Sequence, residues 1–173
     1  MNATASAPKN QMALMVPINN TTMARELCDW LPEVSQCTIL KIPRGQGLLT
    51  TQNIGPYQEA AYQLAEPLRG QNLDVLAYGC TAASFLAGPQ ADKAMQQRLS
   101  DHLQIPVVTT AQSMVLELQR LGIQRAALVT PYSDEVNDSL KHYLSNEGIA
   151  VSSFDSLYAA DVIALGQIGR AHV

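Results

Sequence analysis

The chain has no cluster of basic residues. Its 11 Lys and Arg are scattered among 15 Asp and Glu, giving a net charge of −4 and a pI near 5.2. A surface without a positive patch lacks the electrostatic footprint of a nucleic-acid binder, so no nucleic acid partner is expected. No apolar run approaches the roughly 20 residues that cross a bilayer. Residues Met1 to Asn10 also lack the basic start and long apolar segment of a secretory signal. No membrane association is expected, and a cytoplasmic location is. Cysteine is scarce: Cys28, Cys37 and Cys80 are odd in number, without CxxC spacing or a nearby histidine. That excludes a disulfide framework and a zinc site, and leaves free thiols in a reducing compartment.

What is present is a core. With 173 residues, 47% hydrophobic and 15% charged, the chain fits one domain or two small lobes. Short β-rich apolar runs alternate with longer amphipathic stretches, the pattern of parallel strands joined by crossover helices, so an α/β fold is expected. Strands are read over 12–17, 37–42, 73–78, 105–109, 125–130 and 149–154. Helices are read over 21–31, 53–69, 90–103, 110–121, 133–147 and 158–168, and residues 1–10 as a flexible tail. Gly122 and Gly148 suit left-handed C-terminal caps. Residues 43–56, with three glycines and two prolines, read as a mobile loop that either covers a site or merely connects two elements.

"ALMVPI" at 13–18 and "ALVTPY" at 127–132 share Ala, Leu and Pro at a constant offset, 131 − 17 = 114. This is either chance agreement of two apolar strands or the trace of two pseudo-symmetric lobes, 11–110 and 111–173. Ligands of parallel sheets bind beyond the carboxyl ends of strands. Asn19 and Asn20, Cys80 and Thr81, and Tyr132 and Ser133 all fall at such ends, where they could converge on a small anion.

Cys80 follows a strand and precedes a helix start, so the helix dipole is expected to favour its thiolate and make it a nucleophile or proton carrier. The competing reading is a small buried thiol. Cys28 and Cys37 are read as core. Asn20, with Thr21 and Thr22, offers donors to a carboxylate or caps a helix, and both can hold at once. Tyr132 offers a phenol to a carboxylate or edges the core. His102, His142 and His172 read as solvated rather than as ligands.

Taken together, "VPINNTTMARE", "DVLAYGCTAASFLAG" and "ALVTPYSDEVN" resemble the aspartate/glutamate racemase superfamily, and within it the maleate cis-trans isomerase and arylmalonate decarboxylase branch. The likeness runs from about Met12 onward. It implies two Rossmann-like lobes with parallel sheets, the second incomplete, and a site between them that uses no metal and no organic cofactor. It further implies a small carboxylate substrate and a homo-oligomer. Carried over, Cys80 is the catalytic cysteine of the first lobe, and Asn20, Thr81 and Tyr132 bind the substrate carboxylate. Pro17, Ser133 and Val162 complete the binding set. Arylmalonate decarboxylases carry glycine in place of Cys80, so its presence favours an isomerase that adds the thiol to maleate, rotates and eliminates fumarate. Decarboxylation, racemisation, and a non-catalytic carboxylate-binding role remain as alternatives.

Two departures accompany the resemblance. The isomerases place an asparagine near "AADVIALGQIG", where this sequence has Asp161 or Val162. A partner for Cys80 is expected near 80 + 114 = 194, beyond Val173. The chain therefore reads as truncated or frame-shifted, poorly active and prone to association.

Overall fold

A computed structural model describes residues 10–32, 36–45, 47–161 and 164–165. The described chain begins β1 (Gln11–Pro17), α1 (Met23–Trp30), β2 (Gln36–Ile42) and α2 (Ile54–Ala65), followed by a 3-10 turn (Glu66–Leu68). It continues through β3 (Val75–Tyr78), α3 (Thr81–Ala87), α4 (Pro89–Leu103) and β4 (Val107–Thr109). It closes with α5 (Thr110–Arg120), β5 (Arg125–Thr130), α6 (Asp134–Asn146) and β6 (Ala150–Ser156). The first four strands form a parallel sheet in the order β2-β1-β3-β4, and β5 pairs in parallel with β6. The α/β fold with parallel sheets is thus the one the alternating pattern implies. No helix among the described residues is long and apolar enough to cross a membrane.

The burial of each strand explains its composition. β1 lies in the middle of a parallel sheet, and Ala13, Leu14, Met15 and Val16 have no exposed surface, as a strand covered on both faces requires. In β5 burial alternates, and Val129 is 71% exposed. One apolar cluster joins Met15, Ile42 and Leu76 of the four-stranded sheet to Tyr57 of α2 and Leu99 of α4. A second gathers Phe85, Val115, Val136 and Tyr143 from α3, α5 and α6 against one side of the β5–β6 pair. Asp92, 1% exposed on α4, bolts the two together. Its Oδ2 accepts from Thr109 Oγ1 at the end of β4 (2.7 Å) and from the Tyr143 hydroxyl of α6 (2.9 Å).

The chain passes from β1 to β2 on one side and reaches β3 on the other. β1 and β3 therefore flank the point where strand order reverses, and a crevice opens there beyond their carboxyl ends. The exits of these strands approach closely: Gly79 N–H donates to Met15 O at 2.7 Å. A Cβ on Gly79 would sit 2.5 Å from Met23 Sδ and 2.9 Å from Val16 Cγ1, so only glycine permits this approach.

Several boundaries differ from the sequence reading. The strand read over 73–78 starts at Val75, because Leu73 and Asp74 form a turn in which Asp74 Oδ2 accepts from Gln11 N at 2.7 Å. The strand read over 105–109 starts at Val107, and that read over 149–154 extends to Ser156. The loop read over 43–56 ends earlier, with α2 beginning at Ile54. The helix start after Cys80 becomes the separate helix α3, which Gly88, at φ 81°, breaks from α4. Tyr158 to Asp161 are irregular rather than the start of a helix, since Ala159 N–H turns back to Pro131 O. Gly122 and Gly148 take the left-handed conformation expected of caps.

Cys28 is exposed rather than core, because no residue of α1 is fully buried. Cys37 is only half-buried; burial and the neighbouring Cys28 raise its pKa to about 11. His102 is half-buried and paired with Glu66 at 2.8 Å instead of solvated, whereas His142 is exposed. Residues 1–9 of the flexible tail expected over 1–10, together with Val162 and His172, lie outside the described residues.

Candidate active site

Three strand exits supply one cavity of about 250 Å³. The β1–α1 turn contributes Pro17, Asn19, Asn20, Thr21 and Thr22. The β3–α3 junction contributes Gly79, Cys80 and Thr81, and the β5–α6 turn contributes Pro131, Tyr132 and Ser133. The structure therefore brings together Asn20, Cys80, Thr81, Tyr132, Ser133 and Pro17, six of the seven residues singled out from sequence. Pro17 and Pro131, which the internal repeat matches, line the same space. Asp161 is exposed, and it is not among the residues that line the cavity.

Each side chain is held by local backbone geometry. Asn20 Oδ1 accepts from the amides of Thr22 (3.2 Å) and Met23 (3.0 Å), so it caps α1 as its residue type favours. This leaves its Nδ2 donors uncommitted among the described residues. Lys41 Nζ donates to Asn20 O and fixes the turn against β2. Thr81 Oγ1 and the Tyr132 hydroxyl share a hydrogen bond of 2.9 Å across the cavity. Tyr132 is fixed from behind: its carbonyl accepts from Asn137 Nδ2 and Ser156 Oγ, both at 2.9 Å, and its ring meets Phe85 edge-on. Burial raises the phenol's pKa, so Tyr132 is a neutral hydroxyl donor at physiological pH.

Cys80 is 4% exposed at the head of α3. Burial raises its pKa above the ordinary 9.0, against opposing effects of the Tyr57 hydroxyl, the Ala83 amide and Arg44. This corrects the expectation of a depressed thiol. The helix start does favour the thiolate, but desolvation of the buried side chain outweighs it. Cys80 is therefore a neutral thiol at physiological pH, and the thiolate fraction grows only as pH rises past 9. Iodoacetamide should accordingly label Cys80 more slowly than exposed Cys28 at neutral pH, with the Cys80 rate still climbing above pH 9. Faster labelling of Cys80 than of Cys28 at pH 7, read by peptide mass spectrometry, would contradict the neutral thiol.

Sequence reasoning missed two neighbours of the thiol. Tyr57, 4% exposed, lies beside Cys80 outside good hydrogen-bond geometry, and its pKa is held well above the usual range by burial and then by Cys80. Arg44 reaches the cavity from the β2–α2 loop. Arg44 belongs to the segment read as a covering loop, and Leu48 and Leu49 of that loop line the cavity as well, whereas Tyr57 stands in the first turn of α2. Thr51 secures it from the opposite side, donating to Glu135 Oε1 of α6 from its amide (2.8 Å) and its hydroxyl (2.6 Å). The placement of Arg44 at the carboxyl end of a strand was the available signal.

Among the described residues no group of three or more His, Cys, Asp or Glu is placed to hold a metal. The arrangement is a small cavity with one thiol, one guanidinium and neutral donors suited to a carboxylate.

Known proteins share this architecture. The chain is 25% identical to the maleate isomerase of Geobacillus stearothermophilus over 172 residues, covering 91% of this chain and 67% of that protein. A variant of the Pseudomonas putida maleate isomerase, crystallised with maleate, superposes with a TM-score of 0.77 at 23% identity, over 86% of this chain and 63% of the other. A variant of the Nocardia farcinica maleate cis-trans isomerase, carrying a covalently bound succinylcysteine intermediate, gives a TM-score of 0.76 at 23% identity, over 92% and 68%. The chain thus spans about two thirds of the length of the relatives it matches. Residues 41–173, which hold Arg44, Cys80, Thr81 and Tyr132, match the arylmalonate decarboxylase family, and the chain belongs to that family.

Proposed function

We propose that this site isomerises a small carboxylic acid with a cis double bond, of the maleate type, by reversible addition of Cys80. The observation that carries the reading is the position of a buried thiol in the same small cavity as Asn20, Thr81, Tyr132 and Ser133. The hydroxyls of Thr81 and Tyr132 and the Asn20 amide hold a carboxylate beside the sulfur. Net addition of the S–H then forms a bond from Sγ to one olefinic carbon and places one hydrogen on the other. The resulting single bond rotates. Elimination breaks the C–S bond, restores the thiol and releases the trans acid, with no change of oxidation state and no cofactor. The succinylcysteine of the Nocardia farcinica relative is the adduct this route predicts.

The family match supports a second reading, decarboxylation of a disubstituted malonate. Proton NMR of the chain with maleate and, separately, with an arylmalonate distinguishes them. Fumarate appearing from maleate supports isomerisation. Carbon dioxide released from the arylmalonate with maleate unchanged favours decarboxylation, and no change in either acid removes both.

The reading places the enzyme in the cytoplasm, where its three free cysteines stay reduced. It also includes self-association. Val129, Leu157 and Tyr158 are 71%, 62% and 54% exposed, an apolar surface of the kind that favours association. Light scattering after size exclusion should give a mass above 18.7 kDa, and a clean monomer would count against assembly.

A further inference from the structure

We infer that Arg44 is a second carboxylate-binding group of the cavity, so that the site selects dicarboxylic over monocarboxylic acids. This rests on the small-acid reading above and deepens it. The donors around Cys80, namely Asn20, Thr81, Tyr132 and Ser133, are all neutral and suffice for one carboxylate. Arg44 is the one charged residue among the described residues that line the cavity, and no acidic side chain lines it. No ion pair of the described residues involves Arg44. Its Nη2 donates to Gly47 O at 2.6 Å, which fixes the side chain within its own loop, while its Nε is buried without a partner.

A buried guanidinium edge with no acceptor is costly, and the planar fork matches a carboxylate in bidentate geometry. An anion in the cavity relieves that cost. Arg44 is also close enough to Cys80 to favour its thiolate. A ligand held by Thr81 and Tyr132 at one end and by Arg44 at the other therefore spans the sulfur. In a cis-dicarboxylate the two carboxylates flank the double bond, so fixing both ends sets the olefinic carbons beside Sγ. A monocarboxylate held at one end has no such constraint and leaves Arg44 unpaired.

Calorimetry tests this on the Cys80→Ser chain, which removes the thiol, with maleate and (Z)-but-2-enoate as matched di- and monocarboxylates. Maleate should bind about tenfold tighter or more, the worth of one hydrogen-bonded charge pair. Adding Arg44→Met should abolish that preference while leaving (Z)-but-2-enoate within about twofold, which also shows that the cavity is intact. Arg44→Lys should retain part of the preference. Equal weakening of both acids by Arg44→Met, or a maleate preference that survives it, overturns the inference. Binding of both acids to the Cys80→Ser chain without preference overturns it too, yet leaves the small-acid reading standing. Failure of both acids to bind the Cys80→Ser chain removes the inference and the small-acid reading together.

Discussion

Replacing Cys80 by alanine is expected to lower maleate turnover by about a thousandfold or more, with the maleate dissociation constant changed far less. On the proposed route the sulfur forms the bond that turns a double bond into a rotatable one, so no neighbour substitutes for it. Cys28 and Cys37 cannot stand in: neither lines the cavity, and they lie beside each other on α1 and β2. Cys28→Ala should therefore leave the rate unchanged and serves as the control. The carboxylate donors Asn20, Thr81 and Tyr132 persist in the alanine variant, which is why binding survives. A Cys80→Ala chain that forms fumarate at the parental rate would remove the thiol from the chemistry.

Asp92→Ala is expected to cause the largest loss of stability outside the apolar core. Asp92 Oδ2 receives hydroxyls from Thr109 and Tyr143, both without exposed surface. Truncation leaves two buried donors unpaired, at about 1–3 kcal/mol each, and opens a void between α4 and α6. Asp92→Asn keeps an acceptor oxygen and should lose less. Urea denaturation compares the three chains. An unfolding free energy for Asp92→Ala within about 0.5 kcal/mol of the parent would show that the carboxylate contributes nothing.

Asp92 also illustrates why part of the fold was hidden in the sequence. In "PQADKAM" it reads as an acidic residue of a first helical turn, where a carboxylate suits the helix dipole. Only tertiary packing places it beneath Tyr143. The exits of β1, β3 and β5 were legible, because apolar runs end in Pro17, Gly79 and Thr130, with Asn19, Thr81 and Tyr132 two positions further on. Arg44 was not, since a glycine- and proline-rich loop has no periodicity from which to read direction, and Tyr57, buried in the first turn of α2, meets Cys80 only through tertiary packing. The ionisation of Cys80 was misread for a different reason. Local sequence exposes the helix start, but the desolvation that reverses the shift comes from residues far along the chain. Cys28 shows the converse: an amphipathic helix can carry an apolar face that its sheet only partly covers.

The clamp between Thr51 and Glu135 joins residues 84 positions apart. The loop carrying Arg44 is synthesised well before α6, the helix that secures it, and closing so long a segment is entropically slow. The cavity is thus complete only once α6 has packed against the loop. Until α6 packs, the chain presents Cys80 and its apolar surroundings without the wall that Tyr132, Ser133 and Val136 supply.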